Sequence, residues 1–160
     1  MCGGRDPVTR IPSVPPPSSA RGKEAPVATT LSDDLKRVLD TPVFVIIGTI
    51  QPDGSPQLSP VWVKRDGDEL LFSTTMGRRK QKNIDRDPRV TVLVQPADEP
   101  YTYAEIRGTA SYTTEGAQKL IDELSLKYTG KKYAEFNPAS AQDDERIVVR
   151  IAPRKVVGSL

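Results

Sequence analysis

The residues best equipped for chemistry lie in one basic run. Met76-Gly77-Arg78-Arg79-Lys80-Gln81-Lys82-Asn83-Ile84 follows directly on Ser73 and Thr74. Arg78 offers a planar fork that matches an anion with two parallel hydrogen bonds, and Lys80 offers a compact point charge. Asn83 adds a neutral donor, and Ser73 and Thr74 add hydroxyls. If the run opens a helix, its first backbone N–H groups point at the same anion. The pattern fits a phosphate site. It also fits a solvated basic helix face or a short nucleic-acid patch.

What is missing narrows the chemistry further. The 160 residues include no histidine and one cysteine, Cys2. Ser-His-Asp and Cys-His catalysis are therefore absent in their usual forms, and so are the common zinc sites. Carboxylates, lysine, tyrosine or an imported cofactor remain, and a cofactor suits this composition best. No metal is expected. Residues 1–30 carry four basic and two acidic side chains, which accounts for the whole net charge of +2. Residues 31–160 are then neutral, which argues against a broad nucleic-acid surface. No apolar stretch reaches 18 residues and no charged start leads into an apolar run, so a cytoplasmic protein is expected. Cys2 falls in the tail and reads as inert.

The elements that must position these groups are short. Residues 1–30 are rich in Pro, Ser, Gly and Ala and read as a disordered tail, leaving one domain over 31–160. Ser32 is an N-cap, with Asp33 and Asp34 at the positive end of a helix whose face is Leu35, Val38 and Leu39. Val43 to Ile50 reads as a strand buried on both faces. Pro52-Asp53-Gly54 is a turn, Gln57 to Lys64 the returning strand, and Arg65 to Asp68 a second turn into Glu69 to Thr74. These three strands predict an antiparallel meander. The basic run enters a short helix that Pro88 ends. Val90, Val92 and Val94 mark a fourth strand, Tyr101 to Tyr112 a fifth, and Arg146 to Ala152 the last. Thr114 is expected to cap a helix with the face Ala117, Leu120, Ile121, Leu124 and Tyr128. The fold class is mainly β, an antiparallel barrel with a few short helices.

Three segments carry a resemblance. Asp53-Gly54-Ser55-Pro56-Gln57-Leu58-Ser59-Pro60-Val61-Trp62 resembles the first hairpin of the pyridoxamine-phosphate-oxidase-like split barrel. Arg78 to Ile84, with Arg86-Asp87-Pro88-Arg89-Val90, resembles its phosphate-binding loop and helix. Tyr103 to Ala110, with Arg107-Gly108-Thr109-Ala110, resembles its E-x-x-G-x-A strand. Within that superfamily the chain is most similar to the branch that uses the deazaflavin coenzyme F420. It ends Arg154-Lys155-Val156-Val157-Gly158-Ser159-Leu160, without the R-L-x-P-like segment that grips substrate in true pyridoxamine phosphate oxidases. The resemblance implies a homodimer and an oxidoreductase that passes a hydride between F420 and a small conjugated substrate. FMN is the alternative cofactor. It puts Ser73, Thr74, Arg78, Lys80 and Asn83 on the phosphate, and Pro56, Gln57, Leu58 and Ser59 along the ring. Tyr101 and Tyr103 fall where that branch places aromatics near the cofactor, and strand packing explains them equally well. Trp62 reads as pocket, interface or core. A non-enzymatic nucleic-acid or regulatory module is the rival of another class.

Overall fold

The computed structural model describes residues 29–140 and 145–160. The tail and Cys2 therefore lie outside the described residues, apart from Thr29 and Thr30. Thr29 already belongs to the fold, because its hydroxyl donates to the Arg154 carbonyl at 2.7 Å.

Helix α1 (Asp33–Asp40) starts as expected, with the Ser32 hydroxyl accepting from the Leu35 N–H. Seven strands follow: β1 (Val45–Ile50), β2 (Pro56–Val61), β3 (Lys64–Asp66), β4 (Glu69–Thr75), β5 (Arg89–Val94), β6 (Ala104–Thr113) and β7 (Arg146–Gly158). Helices α2 (Arg79–Arg86), α3 (Ala117–Thr129) and α4 (Tyr133–Phe136) lie between them. The strands form one antiparallel sheet in the order β2-β1-β5-β6-β7-β4-β3.

The expected three-stranded meander does not form. The predicted strand from Gln57 to Lys64 breaks at Trp62 and Val63, and its halves lie on opposite edges of the sheet. Two residues reach across roughly 10 Å at most. The edges must therefore come together, and the sheet rolls into a barrel with a split between β2 and β3. Alternation fills the inside: Val45, Ile47, Phe72, Val92, Ile106 and Val149 are among the side chains buried there.

The split leaves backbone groups without ladder partners, and α3 supplies them. Tyr128 accepts from the Val63 N–H at 3.1 Å and donates to the Val43 carbonyl at 2.5 Å. Lys127 donates to the Val63 carbonyl at 2.8 Å and the Leu39 carbonyl at 2.6 Å. Buried backbone groups must be paired in this way. Tyr128→Phe should cost about 1–3 kcal/mol, because it strands a donor and an acceptor together. An unchanged denaturant midpoint would show that Tyr128 does not hold the split.

Burial pushes the Lys127 ammonium down to about 8. The unfolded chain then binds the extra proton between pH 8 and about 10.5, the ordinary lysine value. Stability should rise with pH across that window, and the gain is absent below it. Comparing urea midpoints of wild type and Lys127→Met from pH 7.5 to 10 tests this; parallel curves would exclude it.

Other differences have local causes. β1 is buried on one face only, since Ile46 and Ile50 are half-buried. β6 begins at Ala104, after a turn that holds Tyr101. β7 runs past Pro153 to Gly158 because the proline sits at a bulge opposite Arg107 and Gly108, where a ladder N–H is not required. Helix α3 is capped by Gly116 in the left-handed region, and the Thr114 carbonyl accepts from Ala117 instead. Its apolar face is as expected, with Leu120 and Leu124 packed on Leu71 and Val148 outside the barrel. The short α4 has too few residues for a periodic signal and was not anticipated.

Candidate functional site

Alternation along the β4–β7 ladder places the first site residues. Thr75 pairs with Arg146 and Ser73 with Val148. Ser73, Thr75 and Arg146 therefore share the outer face that Leu71 and Val148 present to α3. Where the sheet emerges from beneath α3 and α4 there is a cleft of about 290 Å³. Ser73, Thr74, Arg78 and Lys80 line it together, as the sequence indicated. Arg146 lines it too, and no local pattern marked that residue.

One end of the cleft is cationic. The Arg78 Nε donates to Thr75 Oγ1 at 3.0 Å, which aims its guanidinium at the strand end. Arg146 stacks on the Tyr133 ring at 4.2 Å, with Nη1 at 3.5 Å from Ser73 Oγ. Lys80 is half-buried, and burial, with Arg78 beside it, holds its ammonium below the ordinary lysine value. Helix α2 has no acidic residue in its first turn, and Arg78, at its N-cap, makes no capping hydrogen bond. Cations at that end oppose the helix dipole. A bound anion would relieve both strains and meet the backbone N–H groups of the first turn.

The loop before α2 is held from inside. The Gly77 N–H donates to Gln81 Oε1 at 3.0 Å, and Gly77 takes a positive φ of 80°. Gln81 is buried, and its Nε2 donates to Asp85 at 2.8 Å. Tyr112 donates to the other oxygen of Asp85 at 2.6 Å. Gln81 thus fixes the position of Arg78 without reaching the cleft. Asn83 has a different place from the one expected: fully buried, it donates to Thr49 Oγ1 at 3.0 Å and accepts from Arg86 at 3.1 Å. It fastens α2 to β1 beneath the site.

The opposite end of the cleft is aromatic. Trp62 stacks on Tyr128 with ring centres 5.3 Å apart, and Phe44 and Phe136 complete the wall. Pro60 and Val61 bring the end of β2 into it. The rest of the hairpin lies elsewhere. Pro56 and Leu58 line an outer hollow over Ile46, Gly48 and Leu93, where Leu58 is 64% exposed. Gln57 faces the other way and accepts from Thr49 at 3.2 Å. The Ser59 hydroxyl is buried, with no hydrogen-bond partner among the described residues. Tyr101 is 94% exposed in its turn, and Tyr103 is partly exposed just before β6. Neither lines the cleft. Among the described residues no group of carboxylates, cysteines or histidines could hold a metal ion, and no helix is long and apolar enough to cross a membrane.

Comparison with known proteins gives this geometry a context. The model of a family described as pyridoxamine 5'-phosphate oxidase matches residues 31–159. A curated pyridoxine/pyridoxamine 5'-phosphate oxidase from Aeromonas hydrophila is 34% identical over 56 residues, which are 34% of this chain and 26% of that one. The match thus spans about a quarter of that relative's length. A solved F420 reductase is 26% identical, with a TM-score of 0.68 over 79% of this chain and 98% of its own. A conserved hypothetical protein from Mycobacterium tuberculosis is 25% identical, with a TM-score of 0.65 over 84% and 87%.

Proposed function

Since the chain belongs to the pyridoxamine 5'-phosphate oxidase family, we propose that it is an F420-dependent oxidoreductase acting on a small conjugated organic substrate. The observation that carries this reading is the cleft itself, cationic at one end and aromatic at the other. The similarity to an F420 reductase favours the deazaflavin. FMN is the second reading, because the phosphate donors suit both.

The donor set fits such a group. Arg78, Lys80 and the Ser73 hydroxyl would take the phosphate of the tail. Trp62 and Phe136 would cover the apolar part and keep water away from it. When bound, the cofactor supplies the hydride that this chain's side chains cannot. The residues' work is to bind, orient and dry the site.

A cleft of about 290 Å³ is at the small end of ligand sites. It suits a tail better than a whole cofactor, so the ring would extend beyond it. The hollow at Ile46, Gly48, Leu58 and Leu93 is apolar and open. A second copy of the chain would cover it and complete the ring site, making the protein a homodimer. Leu58→Asp should then yield monomers in sedimentation and weaken cofactor binding; a wild-type chain that is monomeric throughout would exclude the dimer.

Trp62 is the lone tryptophan and lines the cleft. Its fluorescence should fall as F420 is added, and at lower concentration than with FMN. Tighter binding of FMN would shift the reading to a flavin enzyme. No response to either, with salt-sensitive binding of RNA or DNA instead, would replace it with the nucleic-acid reading.

A further inference from the structure

The loop that carries Arg78 is pinned through its backbone donors. The Met76 N–H donates to the Glu145 carbonyl at 2.9 Å, and the Arg78 N–H to the Thr75 carbonyl at 3.4 Å. Between them the Gly77 N–H donates to Gln81 Oε1 at 3.0 Å. Gln81 is the third residue of α2, the position from which a side chain reaches back to the turn before a helix. Its amide could present either the oxygen or the NH2 there, and only the oxygen accepts. Turned over, it would set a donor against the Gly77 N–H. Gln81 is buried, and a buried donor without an acceptor is costly. The hold on the loop therefore depends on which way the Gln81 amide faces.

Asp85 decides that. It stands one turn further along α2, on its exposed side. A carboxylate only accepts, and Asp85 accepts from Gln81 Nε2 at 2.8 Å. Tyr112 of β6 closes the circuit. Its hydroxyl donates to the other Asp85 oxygen at 2.6 Å and accepts from the same Nε2 at 3.3 Å. With the NH2 committed to these two, the Gln81 oxygen is left facing Gly77. None of Gln81, Asp85 and Tyr112 lines the cleft. On the reading of Arg78 and Lys80 as the phosphate site, we infer that Asp85 is a positioning residue for that site. It orients the Gln81 amide, and through Gly77 it holds Arg78 where a phosphate ester meets it. The sign of its effect runs against simple electrostatics. Asp85 lies about 10 Å along the helix from Arg78, and a carboxylate there repels a bound anion. Removing it strengthens phosphate binding if charge alone counts, and weakens it if Asp85 positions the loop.

Inorganic phosphate is the probe, titrated into the full chain by calorimetry at low salt. Asp85→Ala should weaken its binding by about threefold to tenfold, the worth of one hydrogen bond. Asp85→Asn loses the same charge but keeps an acceptor oxygen for Gln81. It should bind phosphate at least as tightly as wild type. Far-UV circular dichroism checks that both variants fold. Amide exchange at Gly77, followed by NMR without ligand, reads the positioning by itself. It should be equally slow in wild type and Asp85→Asn, and faster in Asp85→Ala. Phosphate binding in Asp85→Ala that equals or exceeds wild type would overturn the role of Asp85. So would unchanged Gly77 exchange in that variant, or equal weakening in Asp85→Asn, where the acceptor is kept. A wild type that binds no phosphate would remove the anion site and this role with it. The two readings otherwise fail separately. Undiminished phosphate binding in Asp85→Ala, with F420 or FMN bound by wild type, removes the role of Asp85 alone. Weakened phosphate binding and faster Gly77 exchange in Asp85→Ala, with neither F420 nor FMN bound by wild type, remove the proposed activity alone.

Discussion

Gly108→Ala should destabilise the domain by about 3 kcal/mol, enough to lower the melting temperature by roughly 10 °C. Gly108 sits in β6 at the bulge, opposite Pro153 of β7. A Cβ there would lie 2.6 Å from the Ala152 carbonyl oxygen and 2.8 Å from the Ile151 Cγ2. The first neighbour is backbone of the paired strand and cannot yield. The second is a core side chain in the same ladder. Relief would require β7 to slide from β6, which breaks the longest pairing in the barrel. Gly48 is the control. Its added Cβ would meet Leu58 Cδ2 at 3.1 Å, the far end of a flexible side chain that can give way where backbone cannot. Gly48→Ala should therefore lose well under about 1 kcal/mol. Thermal denaturation of both variants checks the pair. Equal losses would mean that the clash at the bulge does not set the stability of the β6–β7 ladder.

The same bulge shows what a sequence can reveal about such a fold. An apolar β-branched run marks β1, and alternation of Val90, Val92 and Val94 marks β5, both local properties. The turn at Pro52-Asp53-Gly54 is local too, with Gly54 at φ 84°. The break at Trp62 and Val63 is not. It depends on the sheet closing, so the β-forming residues on either side read as one strand. Pro153 read as a strand end because its tolerance depends on an extra residue opposite Arg107 and Gly108.

The candidate site divides in the same way. Ser73, Thr74, Arg78 and Lys80 lie within eight residues and were legible together. Arg146 reaches them only through the β4–β7 register, and nothing in its own neighbourhood announces that. Asn83 and Gln81 mark an intermediate case. The single apolar residue of α2 is Ile84, and the positions three and four before it are Gln81 and Lys80. Helical spacing puts these on the inward face. That phase was available to indicate a buried Gln81 and a half-buried Lys80. It could not show that Asn83 turns to Thr49 rather than to a ligand.

Removing Arg78 and Lys80 together should move binding and stability in opposite directions. Each side chain offers one charge-assisted contact to a phosphate, worth about 1.5–3 kcal/mol. The double variant Arg78→Ala, Lys80→Ala should therefore bind F420 or FMN about 100-fold to 10,000-fold more weakly. The two charges are neighbours, since Arg78 already disfavours the Lys80 ammonium, so the combined loss need not equal the sum of the single ones. The ligand-free protein should behave in the reverse sense. Lys80 is partly desolvated and has no carboxylate partner among the described residues. Both charges also face the positive end of α2. Their removal should leave the unliganded melting temperature equal or higher. A merely structural role would lower both quantities together. A solvated basic face would change neither by much. Only a site that keeps unfavourable charge in place for an anion predicts weaker binding and an undiminished fold in the same molecule.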